Sequence, residues 1–231
     1  MNVQILQLID GAKKATGVAV VIDVFRAITV ESFLYSNGAE KIIPVGDINK
    51  AYEHKAKQPE VVLIGERGGK ICEGFDFGNS PSQIKNYDFG GKTVIHTTSA
   101  GTQGVANAKN ADVILCACLC NAKATAEYIK ELNPQTVSLV CMGLAGIEPT
   151  DEDTLCAEYI KSLLECKPIS LEDKIQNLKQ TSGAKFFDPA QTDVFPTEDF
   201  YLSTKADIFP FALRIETENG IQTTRKIDIK I

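Results

Sequence analysis

Histidine is scarce in this chain: of 231 residues, only His54 and His96 carry an imidazole. That scarcity excludes zinc sites built on paired imidazoles, and the lack of any CxxC pair excludes thiolate knuckles. No stretch approaches the roughly 18 consecutive apolar residues of a membrane span. The N-terminus, MNVQILQLID, lacks the basic start and long apolar core of a secretory signal, so a cytoplasmic protein without a membrane partner is expected. Positive charge is not in excess either. Twenty-four Lys and Arg against thirty Asp and Glu give a net charge of −6, and the basic residues are not gathered into a patch, which argues against a nucleic-acid partner. Gly/Ser linkers, Pro linkers and internal repeats are missing as well.

What is present is the composition of an ordinary globular chain, 44% apolar and 23% charged. The length fits one large or two small domains. Without a linker, residues 1–231 are taken as a single domain, two closely packed lobes being the alternative. Seven cysteines is an odd number. Cys116, Cys118 and Cys120 alternate along a predicted strand, which would point their thiols to one face, and all are read as reduced thiols that pack.

Strand-like and helix-like segments alternate along most of the chain, the pattern of an α/β fold: a three-layer α/β/α arrangement with a mostly parallel or mixed sheet. VAVVID at 18–23 reads as a strand buried on both faces. Helical spacing follows over 27–37, with Gly38 placed to end it. A strand at 41–45, an amphipathic helix at 47–57 and a strand at 61–65 continue the order. The stretch 66–81, ERGGKICEGFDFGNSP, is too long and glycine-rich for a plain connection, and such loops are usually functional. Strands are predicted at 93–97, 113–118 and 136–141. A helix capped by Asn121 should reach about Leu132, and another should begin near Asp151. Beyond Ser170 come a polar helix to Gln180, an aromatic-rich connection and C-terminal strands.

Several catalytic patterns fail on spacing. Gly91-Lys92-Thr93 ends like a P-loop, but Asn86 stands where its first glycine belongs and a strand follows where a helix is needed. Thr97 to Gly101 resembles a nucleophile elbow with its first glycine replaced, and neither histidine is placed to serve as its base. No cysteine precedes an Arg by six positions, Asp23 lacks a second Asp two residues on, and no GxGxxG occurs.

The remaining signal is polar residues where apolar strands stop, the place where open α/β sheets bind ligands. Asp23 ends a buried strand and Arg26 opens the next helix; a structural ion pair between them is the plainer alternative. Glu66 and Arg67 precede Gly68 and Gly69, which let backbone N–H groups approach a ligand, with a salt bridge in a loop as the alternative. Thr98, Ser99, Gly101 and Thr102 offer an uncharged cradle for an oxyanion, where an ordinary helix cap would use one hydroxyl. Thr150 with Asp153 fits a capping box, yet Asp151, Glu152 and Asp153 exceed what a cap requires and suit Mg²⁺. Together these describe a site for a small, multiply charged anion with a divalent metal.

These motifs resemble the 2-phosphosulfolactate phosphatase family: VVIDVFRAITV at 20–30, GERGGKICEGFDFGNSP at 65–81, HTTSAGT at 96–102 and EDTLCA at 152–157, with a weaker PFALR at 210–214. The resemblance implies a Mg²⁺-dependent phosphatase that hydrolyses 2-phospho-3-sulfolactate to 3-sulfolactate in coenzyme M biosynthesis. It further implies Asp23, Glu66, Glu152 and Asp153 as metal ligands. Asp23, Arg26, Glu66, Arg67 and Asp153 are its catalytic candidates, and Arg26, Arg67, Thr98, Ser99, Gly101, Thr102 and Asn121 its substrate contacts. Family members often carry Asn where this chain has Ser99. Gly78 to Pro81 is read as fixing loop shape. Water attack and an aspartyl-phosphate on Asp23 both remain open. So do a phosphatase for another phosphorylated hydroxy acid and a non-catalytic anion-binding protein. A homodimer is the base-rate expectation.

Overall fold

The computed structural model describes residues 1–167 and 169–230. In chain order the elements are β1 (Asn2–Gln7), α1 (Leu8–Lys14), β2 (Gly17–Ile22), α2 (Ala27–Ser36), β3 (Lys41–Pro44), α3 (Ile48–Lys57), β4 (Val62–Arg67) and β5 (Lys70–Ile71). They continue with α4 (Pro81–Ile84), β6 (Thr93–Thr97), α5 (Gly101–Asn107), β7 (Ala111–Ala117), α6 (Ala122–Leu132), β8 (Thr136–Cys141) and α7 (Asp151–Leu164). The C-terminal part holds α8 (Glu172–Leu178), α9 (Thr197–Ser203), β9 (Phe211–Glu218) and β10 (Ile221–Asp228).

The strands form one mixed sheet in the order β1-β8-β2-β7-β9-β10-β3-β6-β4-β5. Two parallel sets, β1-β8-β2-β7 and β3-β6-β4, are joined through the antiparallel pair β9-β10. Because β7–β9, β9–β10 and β10–β3 are all antiparallel, the two sets run in opposite directions. β2 is buried from Val18 to Ile22, as a parallel strand covered on both faces must be. Helices pack against its neighbourhood in two groups: α1 with α5, and α6 with α7, both reaching β2 or β8. α2 also packs on α5, which carries the carboxyl end of β2 to the carboxyl end of β6 despite the opposed strand directions.

Most predicted elements stand within a residue or two of their expected bounds, and the differences have local causes. β1 and α1 were not anticipated; β1 is only partly buried and pairs with β8 alone, so its apolar pattern is weak. The long loop after Gly65 is not structureless, since Lys70 and Ile71 turn back on Arg67 and Glu66 as β5. β7 ends at Ala117 and a 3-10 turn follows over Leu119–Asn121. Cys116, Cys118 and Cys120 therefore do not alternate along one strand, although all three are buried and every cysteine is unpaired. The capping box at Thr150 does not form: the Thr150 hydroxyl has no hydrogen-bond partner among the described residues, and Asp153 turns elsewhere. Aromatic side chains of the C-terminal region, Phe186 and Phe200 with Phe195 and Phe187, gather with Leu155 and Leu178 into a satellite core that Phe25 also joins.

Candidate active site

Strand ends from both parallel sets meet in a cavity of about 320 Å³ lined by Asp23, Arg26, Glu66, Thr98, Ser99 and Glu152, with Gly68, Gly69 and Gly143 among its backbone walls. Asp23 follows β2, where its Oδ1 accepts the Ala27 N–H at 3.0 Å. Gly101 explains the close approach of α5: a β-carbon there would stand 2.8 Å from the Ala27 β-carbon and 3.0 Å from Asp23 Oδ2, a fit only glycine permits.

Glu66 ties two loops together. Its Oε1 accepts the Ser99 N–H and its Oε2 the Gly69 N–H, each at 2.7 Å. Gly69 sits at φ +81°, a left-handed conformation natural to glycine. Asp153 does the same on the other side, its Oδ1 accepting from Val24 and its Oδ2 from Gly143, both at 2.8 Å. It thereby pins the end of β2 to the end of β8 and does not line the cavity. Glu152 does line it, is 3% exposed, and leaves Oε2 without a hydrogen-bond partner among the described residues.

This crowding of acids has an electrostatic signature. Burial, reinforced by the charges of Glu152 and Glu66, pushes the Asp23 carboxyl up to about 6 against the pull of the Ala27 N–H. Burial raises Glu152 too, opposed by the Ser182 hydroxyl and the Lys185 ammonium. Asp153 is raised by burial and by the charges of Glu152 and Asp23, while its two backbone donors work the other way.

The structure separates the remaining sequence candidates. Arg26 lines the cavity but is not paired with Asp23. Its Nη1 donates to Asp199 Oδ2 at 2.7 Å and to the Val194 carbonyl, and its Nη2 to the Gly69 carbonyl. Arg67 is not among the lining residues: its guanidinium donates to the Glu66 and Gly46 carbonyls and to Thr97 Oγ1, bracing the loops from behind. Thr98 and Ser99 face the cavity, whereas Thr102 exchanges hydrogen bonds with Thr98 and lines a different hollow. Asn121 is fully buried, accepting from the Cys118 N–H and donating to the Cys116 carbonyl. Its amide is consumed by the turn after β7, so it is not at the site.

Three residues that sequence reasoning passed over belong to this region. Asp199 is fully buried, and besides Arg26 it accepts from the Ser80 hydroxyl and the Ser82 N–H at 2.9 Å each. Its place in the first turn of α9 looks like a helix-dipole acid, so nothing in the sequence marks it. Asn79, assigned only to loop shape, lines the cavity with its Oδ1 3.3 Å from His96 Nε2, and His96 Nδ1 lies 3.0 Å from Glu31 Oε1. Lys185 lines the cavity beside Phe25 and Phe195; the aromatic run around it was its one available signal.

The donor set suits a hard divalent cation. Among the described residues no group of three or more His, Cys, Asp or Glu side chains forms a ready cage. Magnesium does not need one, since one or two carboxylates with water and substrate phosphate complete its shell. Asp23, which accepts a hydrogen bond at Oδ1 alone among the described residues, and Glu152, whose buried Oε2 has no partner among them, each keep an oxygen free of protein donors, whereas both oxygens of Glu66 already hold amides.

Known proteins resemble this chain along most of its length. A family model described as 2-phosphosulpholactate phosphatase matches residues 3–193. A probable 2-phosphosulfolactate phosphatase of Bacillus subtilis is 32% identical over 214 residues, covering 91% of this chain and 92% of its own length. Its counterpart in Caldicellulosiruptor saccharolyticus is 46% identical over 151 residues, 63% of this chain and 61% of its own. That of Carboxydothermus hydrogenoformans is 39% identical over 176 residues, 75% and 72% respectively. On these matches the chain belongs to the 2-phosphosulpholactate phosphatase family.

Proposed function

We propose that this protein is a phosphoric monoester hydrolase converting 2-phospho-3-sulfolactate and water to 3-sulfolactate and inorganic phosphate, with Mg²⁺ held by Asp23 and Glu152. The substrate is carried over from the relatives named for it. The observation that supports the chemistry is the meeting of two buried carboxylates, the Thr98–Ser99 turn and Arg26 in one cavity. When bound, Mg²⁺ supplies positive charge to phosphoryl oxygens and acidifies water.

The chain's own groups do the positioning. Asp23 is locked by the Ala27 N–H through Oδ1, which leaves Oδ2 for a cation or for the proton of an attacking water. Glu66 holds the Ser99 and Gly69 amides, so the hydroxyl turn and the glycine loop keep a fixed spacing around the phosphoryl group. Three of the five guanidinium N–H donors of Arg26 are taken by protein acceptors among the described residues, and the others are left for anionic oxygens. Water attacks phosphorus, the ester P–O bond breaks, and the departing alkoxide takes up a proton.

Phosphate release from a panel of phosphorylated hydroxy acids, with Mg²⁺ and with a chelator, tests the reading. Turnover of 2-phospho-3-sulfolactate that stops on chelation and returns with Mg²⁺ is expected. No release from any phosphomonoester overturns the hydrolase, a preference for another hydroxy acid overturns the substrate, and indifference to the chelator overturns the metal.

A further inference from the structure

Arg26 and Arg67 are the cations that the sequence offers for anion binding: Arg26 keeps two N–H donors but its charge is already paired, and Arg67 is turned to protein acceptors behind the cavity. Arg26 is neutralised by Asp199, 0% exposed, at 2.7 Å, and Arg67 spends its guanidinium on two carbonyls and a hydroxyl. Lys185 differs. It lines the cavity, and its ammonium makes no hydrogen bond or ion pair among the described residues, although Glu152 lines the same cavity. It is not loose in solvent either. Nζ lies 5.2 Å from the Phe195 ring centre, 5.5 Å from Phe186 and 6.0 Å from Phe25, an aromatic seat that fixes a cation's position without consuming its three N–H donors.

Arg26 lies over two of the same rings, 5.0 Å from Phe195 and 6.0 Å from Phe186. Two cations therefore share one aromatic wall, and among the described residues only Arg26 has a carboxylate bonded to it. We propose that Lys185 is the residue that grips an anionic oxygen of the substrate, either of the phosphoryl group or of a second acid group, carboxylate or sulfonate, on the same molecule. Burial draws the lysine below its ordinary range while Glu152 holds it up, the balance of a charge half out of water and awaiting a counter-ion. The proposal rests on the hydrolase reading for its kinetics but not for its binding measurements.

The test compares Lys185→Met and Lys185→Arg with Lys179→Met, which removes a second lysine that sits over an aromatic ring, 5.2 Å from Tyr201, and is not on the cavity wall. Calorimetry measures inorganic phosphate and 3-sulfolactate binding, and steady-state kinetics uses 2-phospho-3-sulfolactate and p-nitrophenyl phosphate, which has no second acid group. Lys185→Met is expected to weaken the contacted anion about 10- to 100-fold, the size of a hydrogen bond to a charged group. KM should rise with it, and Lys185→Arg should recover part of the loss. Losses with phosphate and with both substrates assign Lys185 to the phosphoryl group. Losses confined to 3-sulfolactate and 2-phospho-3-sulfolactate assign it to the second acid. Unchanged binding and KM in Lys185→Met, or equal losses in Lys179→Met, overturn the proposal. Should Lys185→Met fail to fold, Lys185→Gln is read against the same outcomes. A wild type that binds these anions through Lys185 but hydrolyses no monoester would sink the hydrolase reading and leave this one standing.

Discussion

Replacing Asp23 with Asn should stabilise the metal-free protein at neutral pH, in a way that reports directly on the crowded acids of the cavity. Asp23 is 6% exposed and its carboxyl titrates near 6 in the fold against 3.8 for an ordinary aspartate. A raised folded pKa means that the native state holds the proton more tightly than the unfolded chain. The group's contribution is therefore fully present below pH 3.8 and is lost as pH rises through about 6. The gap corresponds to about 3 kcal/mol at neutral pH, a large share of a typical domain stability of about 5–15 kcal/mol. Asn keeps an oxygen for the Ala27 N–H and cannot ionise. Urea unfolding in a chelator, followed by circular dichroism from pH 4 to pH 8, should show the variant gaining on wild type by up to about 3 kcal/mol between pH 4 and pH 7, then running parallel. Any fixed cost of fitting the amide appears equally at every pH and drops out of the difference. Two curves that stay parallel throughout would refute the electrostatic account of the site. Turnover should be lost in the same variant, since the carboxylate that hinders folding is the one the proposed chemistry uses.

Two further substitutions probe the supports of the site. Asp199→Asn leaves the Arg26 guanidinium, 4% exposed, without its carboxylate, and breaking one side of a buried pair costs about 3–5 kcal/mol. Urea midpoints should fall accordingly, and a loss below about 1 kcal/mol would mean that the pair is hydrated like a surface one. Gly101→Ala places a methyl 3.0 Å from Asp23 Oδ2 and 2.8 Å from the Ala27 β-carbon. Phosphate release should fall by at least about tenfold, the scale of a small misplacement of a reacting group, while helix propensity favours Ala. Unimpaired turnover would show that this contact does not set the position of Asp23.

How much of this was legible in the sequence follows from how local each determinant is. The alternation of strands and helices was readable because buried parallel strands such as β2 are continuous apolar runs, bounded by residues like Gly38 and Asp47 whose turn and cap chemistry is intrinsic. Asp23, Glu66, Thr98, Ser99 and Glu152 stood out because strand ends concentrate ligand sites. Which acid faces the cavity was not readable. Glu152 and Asp153 are neighbours with the same local motives, and it is the tertiary position of the Val24 and Gly143 amides that turns Asp153 inward. Arg67 and Asn121 were placed at the site for the same reason: an Arg or Asn at a strand end looks identical whether its donors meet a ligand or nearby backbone carbonyls.

The opposed direction of the two parallel sets explains why the C-terminal third matters to a site whose acids all come earlier in the chain. Strands that share one direction can place their carboxyl ends side by side, but β2 and β6 cannot, because the β9-β10 pair reverses the sheet between them. Their loops meet through α2 and α5 instead, leaving one flank of the cavity to be closed by something else. Segment 184–199 closes it: Lys185 and Phe195 line the cavity, and Val194 and Asp199 hold Arg26. The early motifs therefore supply the carboxylates and hydroxyls of the cavity wall, and the late segment supplies its aromatic side and Lys185. Substitutions in that segment should alter anion affinity before they alter the acids, whereas substitutions at Asp23 should do the reverse.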